Sequence, residues 1–113
     1  MRVFDLQGTL AQTDRDKVLY TPTGPFAIVS AASPVAATRK AIREFVASNY
    51  PNCTDLRFVS GSKQQIITAK VQQLRNLKAI EYTDNDVALL AEYKARLPDM
   101  QCYYIEAGKQ VKL

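Results

Sequence analysis

The sequence predicts a single three-layer α/β domain, with a mainly parallel five-stranded sheet between helices. Three observations lead to this fold class. Short apolar runs rich in β-branched and aromatic residues predict strands, and longer stretches with apolar residues at helical spacing predict helices. From the second strand onward the two kinds alternate, which implies right-handed crossovers between parallel strands. The chain has 113 residues, of which 47% are hydrophobic, enough for one domain spanning residues 1–113.

The first predicted strand lies at the start of the chain, where an apolar run leads through Asp5 towards Gly8. Asp5 then stands at the carboxyl end of this strand, and Gly8 permits a sharp turn directly after it. Residues 11–24 carry no strong pattern and leave room only for a short hairpin near residues 17–20. A Thr-Pro-Thr-Gly-Pro cluster at 21–25 separates them from the next element.

The second predicted strand is the continuous apolar run at residues 26–30, of the kind that is buried on both faces of a sheet. Ser33 and Pro34 form a strong helix start, with Ser33 as the N-cap and Pro34 at the first helical position. Pro51 stops this helix, so the sequence predicts it over residues 34–49.

The remaining elements continue the alternation. A third strand at 56–60 is followed by Ser62, which can cap a helix over residues 63–77. After that helix the pattern predicts, in order, a strand at 79–83, a helix that Pro98 ends, a strand at 102–105 and a short basic tail at 108–113 that can add a little more strand.

Composition excludes several kinds of chemistry. The chain contains no histidine, which rules out Ser-His and Cys-His nucleophile pairs and most zinc sites. Cys53 and Cys102 are far apart and form no metal-ligand spacing, so free thiols in a reducing compartment are expected. The net charge of +4 is mild, is not concentrated in one block, and favours anionic partners.

Four polar residues stand at the ends of predicted strands or directly after them: Asp5, Ser30, Lys63 and Asp84. The carboxyl ends of parallel strands lie along one edge of a sheet, so we expect these groups to converge. Two carboxylates with no histidine or cysteine favour Mg²⁺ between them. A nearby hydroxyl and ammonium group would hold phosphate oxygens, which indicates a site for phosphoryl transfer.

Three of these assignments have competitors in the same stretches. Lys63 is preferred to Lys70 because it comes directly after a strand. Asp84 is preferred to Asp86 because Asp84 comes directly after the strand, whereas Asp86 could be an acid in the first turn of the following helix. Ser33 competes with the serine that ends the second strand, but it already has the predicted capping role.

Residues 4–10, Phe-Asp-Leu-Gln-Gly-Thr-Leu, resemble the first motif of the haloacid dehalogenase (HAD) superfamily, written Asp-x-Asp-Gly-Thr-Leu. The resemblance implies a Rossmann-like core with the first strand central, Asp5 as the nucleophile that becomes an aspartyl-phosphate, and Mg²⁺ as the cofactor. In that family the second acid of the motif is the general acid/base, and its backbone carbonyl binds the metal. Gln7 stands in its place here.

The other motifs of the family resemble the remaining candidates. The resemblance implies that Ser30 hydrogen-bonds the phosphoryl group and that Lys63 neutralises charge on the nucleophile and the phosphate. It also implies that Asp84 binds Mg²⁺ together with Asp5 and the Gln7 carbonyl.

Gln7 changes the expected chemistry, because a carboxamide cannot exchange a proton near neutral pH. Loss of a general acid/base typically costs about 10²–10⁴ in rate. Three interpretations follow: a slow phosphomonoester hydrolase, a module that binds Mg²⁺ and phosphate without useful turnover, or an active phosphatase that carries an introduced change at this position.

The spacing of the motifs leaves no room for a cap domain, and capless members of the family have open sites, which some close by forming oligomers. The resemblance and the positive charge together predict a phosphorylated substrate, such as a nucleotide, a nucleic-acid end or a phosphoprotein. No apolar run approaches the roughly 20 residues that span a bilayer, and Asp5 interrupts the only N-terminal apolar run. A cytoplasmic location without membrane partners is therefore expected.

Overall fold

The alternation of strands and helices is confirmed by a computed structural model that describes residues Met1–Leu113. Three helices are present: α1 (Ala36–Asn49), α2 (Lys63–Asn76) and α3 (Val87–Arg96). The strands are β1 (Arg2–Phe4), β2 (Ala11–Thr13), β3 (Asp16–Val18), β4 (Phe26–Ala31), β5 (Cys53–Val59), β6 (Glu81–Thr83), β7 (Gln101–Glu106) and β8 (Lys109–Lys112).

The main sheet has six strands in the order β5-β4-β1-β6-β7-β8. The first five are parallel neighbours, and β1 lies between β4 and β6 near the middle of the sheet. This mainly parallel α/β arrangement is consistent with a Rossmann-like fold.

The sequence predicted a sheet of five strands, one fewer than the main sheet contains. β8 joins the sheet as an antiparallel edge strand, through a two-residue turn in which Ala107 and Gly108 both have positive φ. The basic tail gave little sign of this strand, because its alternation of polar and apolar residues is short.

Helices cover both faces of the sheet, which gives the three layers predicted. Alternate residues of β1 point to opposite faces, so Val3 and Phe4 belong to two different apolar clusters. The cluster under α1 also contains Ile42 and Val46 of that helix. The cluster on the other face takes apolar side chains from α2 and α3.

Two local predictions were displaced by a few residues. The hairpin between the first two strands of the main sheet is formed by β2 and β3, so it begins earlier than the residues 17–20 suggested by the sequence and overlaps them only at 17–18. Helix α1 begins at Ala36, because Val35 keeps an extended backbone and is the N-cap without a side-chain hydrogen bond. The Ser33 hydroxyl accepts from the Val35 N–H instead of capping the helix.

The start of α2 was predicted correctly. The Ser62 side chain accepts from the Gln65 N–H, and the Gln65 side chain in turn accepts from the Ser62 N–H, which completes a capping box. None of the three helices is both long enough and apolar enough to cross a membrane.

Candidate functional site

The first part of the site is the turn that follows β1. The carbonyl of Leu6 accepts from the N–H groups of the three residues 9–11, which winds the chain tightly after the strand. Gly8 has a φ of +78°, and a Cβ there would lie 2.6 Å from the Asn85 side chain. Two separate reasons therefore require glycine at this position: the positive φ, and the lack of space for a Cβ next to Asn85.

Asp5 is the residue that this turn presents at the carboxyl end of β1. Its N–H donates to the Thr83 carbonyl of β6 at 2.8 Å, which fixes the backbone to the neighbouring strand. The residue is only 8% exposed. Its Oδ1 accepts from the Lys70 ammonium at 2.9 Å, whereas its Oδ2 has only a long contact of 3.4 Å with the Thr9 hydroxyl. Oδ2 is thus the less engaged oxygen of the carboxylate.

Asp84 stands at the equivalent point after β6 and is 2% exposed. Its Oδ1 accepts from the Asp86 N–H at 3.1 Å, and its Oδ2 accepts from the Tyr82 hydroxyl at 2.7 Å. The competing acid, Asp86, lines the same cleft but uses its carboxylate to cap α3, where it accepts from the Leu89 N–H. The structure therefore pairs Asp84, and not Asp86, with Asp5.

Lys70 is the cation that joins the two acids. It projects from the middle of α2 and is 4% exposed, with its Nζ 2.9 Å from Asp5 and 3.6 Å from Asp84. One ammonium within reach of both carboxylates places them close together at one edge of the sheet, as the sequence predicts. Lys63, the lysine preferred from the sequence, is exposed two turns earlier in α2 and lines the cleft without contacting either acid by an ion pair.

A signal for Lys70 was present in the sequence. Lys70 falls three residues after Ile67 and four before Leu74, both of which are buried on the apolar stripe of α2. A lysine within such a stripe must find a counter-ion inside the protein, because burying an unpaired ammonium is very unfavourable.

Ser30 is not brought into the cleft. It lies on the same face of β4 as Ile28, towards α1, whereas the next residue, Ala31, lines the cleft. The Ser30 hydroxyl is buried and has no hydrogen-bond partner in the protein. Its predicted contact with a phosphoryl group stays a prediction that this geometry does not support.

Asp5, Lys70 and Asp84 lie in a cleft of about 670 Å³. Gln7 is exposed on its wall, next to the turn that holds Asp5. The other polar residues of the lining are Gln12 of β2, Lys63, Asn85 and Asp86.

The charges in this cleft do not balance. Burial raises the pKa of Asp5 to about 6; the nearby Lys70 ammonium opposes this shift and the charge of Asp84 adds to it. Burial works against the charged form of Lys70, but the attraction of Asp5 and Asp84 outweighs it, and the pKa of Lys70 is raised. Two acids facing one buried ammonium carry a surplus negative charge, which a cation would offset.

The charged side chains that line the cleft are carboxylates and lysines. Nowhere in the structure do three or more His, Cys, Asp or Glu side chains cluster as they would around a metal held by side chains alone. Mg²⁺ usually keeps several waters and takes one or two carboxylates, so a pair such as Asp5 and Asp84 could hold it.

Comparisons with known proteins do not add to this description. No protein-family model matches the sequence, and neither a curated protein nor a solved structure matches it.

Proposed function

We propose that this chain is a Mg²⁺-dependent phosphomonoester hydrolase of the HAD type, which works through an aspartyl-phosphate on Asp5 and turns over slowly because of Gln7. One observation carries the proposal: Asp5 and Asp84, 79 positions apart in the sequence, share the Lys70 ammonium at the edge of the sheet where α/β proteins bind ligands. The resemblance of residues 4–10 to the first HAD motif supports the assignment of Asp5 as the nucleophile.

In the first step an oxygen of Asp5 attacks the phosphorus of the substrate. An O–P bond to Asp5 forms while the P–O bond to the leaving alcohol breaks, and the leaving oxygen keeps the electron pair. Lys70 holds Oδ1 and leaves Oδ2 as the attacking atom. The leaving oxygen needs a proton. A carboxylic acid at position 7 would supply it, but the Gln7 carboxamide cannot, so the proton has to come from solvent water.

Asp5, Asp84 and the Gln7 carbonyl would hold Mg²⁺. When bound, the ion supplies positive charge that offsets the charge of the phosphoryl oxygens. Lys70 adds a second positive charge on the side of α2 and keeps the two acids from repelling each other.

In the second step water attacks the aspartyl-phosphate, the bond between phosphorus and Asp5 breaks, and phosphate leaves. The attacking water must lose a proton to a base. The Gln7 side chain cannot accept it, and the Asp86 carboxylate is engaged in capping α3, so the proton has to pass to solvent water. The phosphorylated protein should therefore persist, and both steps are expected to be slow by about 10²–10⁴ in rate relative to a chain with an acid at this position.

The second candidate is a module that binds Mg²⁺ and a phosphate group without turnover. The same carboxamide favours it, since loss of the acid/base leaves the carboxylate pair and the Gln7 carbonyl intact. The third interpretation is an introduced change in an active phosphatase. Like the proposal of a slow hydrolase, it predicts that an acid at position 7 restores activity.

The test is an assay of phosphomonoesters with Mg²⁺, comparing the chain with its Gln7→Asp variant. We expect little activity for the chain itself, a gain of about 10²–10⁴ for Gln7→Asp, and none for Gln7→Asp combined with Asp5→Asn. Gln12→Asp is the matched control, because it adds the same carboxylate elsewhere in the cleft lining. It should give no gain.

The substrates to compare are a generic phosphomonoester, nucleotides, nucleic-acid ends and a phosphoprotein. If Gln7→Asp is inactive on all of them while Mg²⁺ still binds, the binding-module candidate replaces the hydrolase. If Asp5→Ala and Asp84→Ala leave Mg²⁺ affinity unchanged, both candidates fail.

A further inference from the structure

We propose that Tyr82 is a positioning residue that keeps Lys70 on the nucleophile, Asp5, and leaves Asp84 available to a cation. The inference rests on the proposed function, because it assigns a role inside the same Mg²⁺ site. Tyr82 is fully buried in β6, two residues before Asp84.

The direction of the hydrogen bonds around Tyr82 is fixed by chemistry. Its hydroxyl lies 3.0 Å from the Lys70 ammonium and 2.7 Å from Oδ2 of Asp84. An ammonium can only donate, so the hydroxyl accepts from Lys70 and must direct its own proton to Asp84. Tyr82 thus stands between the cation and the second acid.

The distances show what this hydroxyl achieves. Lys70 lies 2.9 Å from Asp5 but 3.6 Å from Asp84, so the ammonium makes its close ion pair with the nucleophile alone. Without the hydroxyl, Lys70 would keep only its hydrogen bond to Asp5, and Oδ2 of Asp84 would lose a donor, both inside the protein. Their direct contact would satisfy both groups, and the ammonium would then compete with a metal ion for Asp84.

Tyr93 of α3 provides a matched control. Its ring packs edge-on against the ring of Tyr82, with centroids 5.4 Å apart, and it is also fully buried. Its hydroxyl, however, has no hydrogen-bond partner in the protein. Replacing either tyrosine by Phe removes the same atom from neighbouring positions, and only Tyr82→Phe breaks a contact with Lys70 and Asp84.

The experiment measures the affinity of the full chain for Mg²⁺ by calorimetry, and for Mn²⁺ by electron paramagnetic resonance. Removing a group that orients a metal ligand typically weakens affinity about 10–100-fold. We expect a loss in that range for Tyr82→Phe and no change for Tyr93→Phe. In a Lys70→Gln background the ammonium no longer competes, so adding Tyr82→Phe should have little further effect.

The outcomes separate this inference from the proposed function. If Asp84→Asn binds Mg²⁺ as well as the unchanged chain does, the proposed metal site fails. If Asp84→Asn loses affinity while Tyr82→Phe keeps it, only the role of Tyr82 is overturned. An equal loss for Tyr82→Phe with and without Lys70 also overturns it, because competition by the ammonium is then not the cause.

A second measurement does not depend on the folding of Tyr82→Phe. In the unchanged chain with ¹³Cζ-labelled tyrosine, Mg²⁺ should shift the NMR signal of Tyr82, because its hydrogen-bond acceptor becomes a metal ligand. Absence of a shift at saturating Mg²⁺ would contradict the proposed role.

Discussion

The two faces of the sheet use the same alternating strands for different purposes. The face under α1 buries an apolar cluster that includes Phe4, Phe26 and Ile28, and the polar residue beside it, Ser30, carries no charge. The face under α2 and α3 has an apolar cluster as well, but at its carboxyl edge Lys70 and Asp84 are buried beside it.

This difference separates stability from function within one small domain. Burying apolar surface stabilises a fold, whereas burying charged groups costs free energy that ion pairs repay only in part. The raised pKa of Asp5 is a sign of that cost. We infer that the apolar clusters of both faces provide the stability and that the charged groups at the α2/α3 edge are retained for chemistry. Four predictions test this inference.

The largest effect is expected on the α1 face. Phe26 is fully buried and packs edge-on against Phe4, with centroids 5.4 Å apart. Phe26→Ala should lower the free energy of unfolding by about 3–5 kcal/mol, as measured by urea denaturation. Mg²⁺ affinity under native conditions should not change, and a loss of affinity in the folded variant would show that the two faces are coupled.

The next effect belongs to the site. Lys70→Met leaves Asp5 and Asp84 buried without their cation, and we expect a loss of about 3 kcal/mol at pH 8. The loss should shrink at pH 5, because Lys70 lowers the pKa of Asp5, so the folded variant has a still higher Asp5 pKa and gains more from protonation than the unchanged chain does. Mg²⁺ should also restore stability.

The control for this variant is Lys63→Met, which changes the exposed lysine of the same helix. Its effect on the free energy of unfolding should stay within about 0.5 kcal/mol. Equal losses for the two lysines would contradict the assignment of Lys70 as the cation of the site.

The third effect is the change of Mg²⁺ affinity with pH, which is expected to be smaller for each pH unit than the loss caused by Lys70→Met. The pKa of Asp5 is raised to about 6, so Asp5 is ionised above that pH and protons compete with the metal below it. Affinity should be nearly constant above pH 7 and fall by up to about tenfold for each pH unit below 6. Isothermal titrations from pH 4.5 to 8 measure this profile, and Asp5→Asn should remove the change near pH 6.

The smallest effect concerns the two neighbouring acids after β6. Asp86→Ala removes the cap of α3 and should cost about 1 kcal/mol of stability with little change in Mg²⁺ affinity. Asp84→Ala should abolish the affinity. Thermal denaturation and metal titration of both variants give the comparison, and the opposite pattern would assign the metal to Asp86.

Much of the fold was predictable because its signals are local. Apolar runs, the Ser62 cap and the turn at Gly8 are each encoded within a few residues, and the structure has an element at each predicted place. Helix α1 began later than predicted because Val35 stays extended after Pro34. The edge strand β8 was missed as a full strand because its pairing depends on β7 being in place.

The sequence by itself determined that Asp5 and Asp84 would meet, because each directly follows a parallel strand and such strands end at one edge. Tertiary structure decided which lysine joins them, although the place of Lys70 on the apolar stripe of α2 was a sign of it in the sequence. A residue of a helix reaches a site only if the helix is rotated and displaced correctly against the sheet, and packing of the apolar stripe of α2 turns Lys70 inward and leaves Lys63 exposed. Tertiary structure also decided which layer Ser30 faces. Alternation along β4 puts Ser30 on the same face as Ile28, and α1 packs on that face.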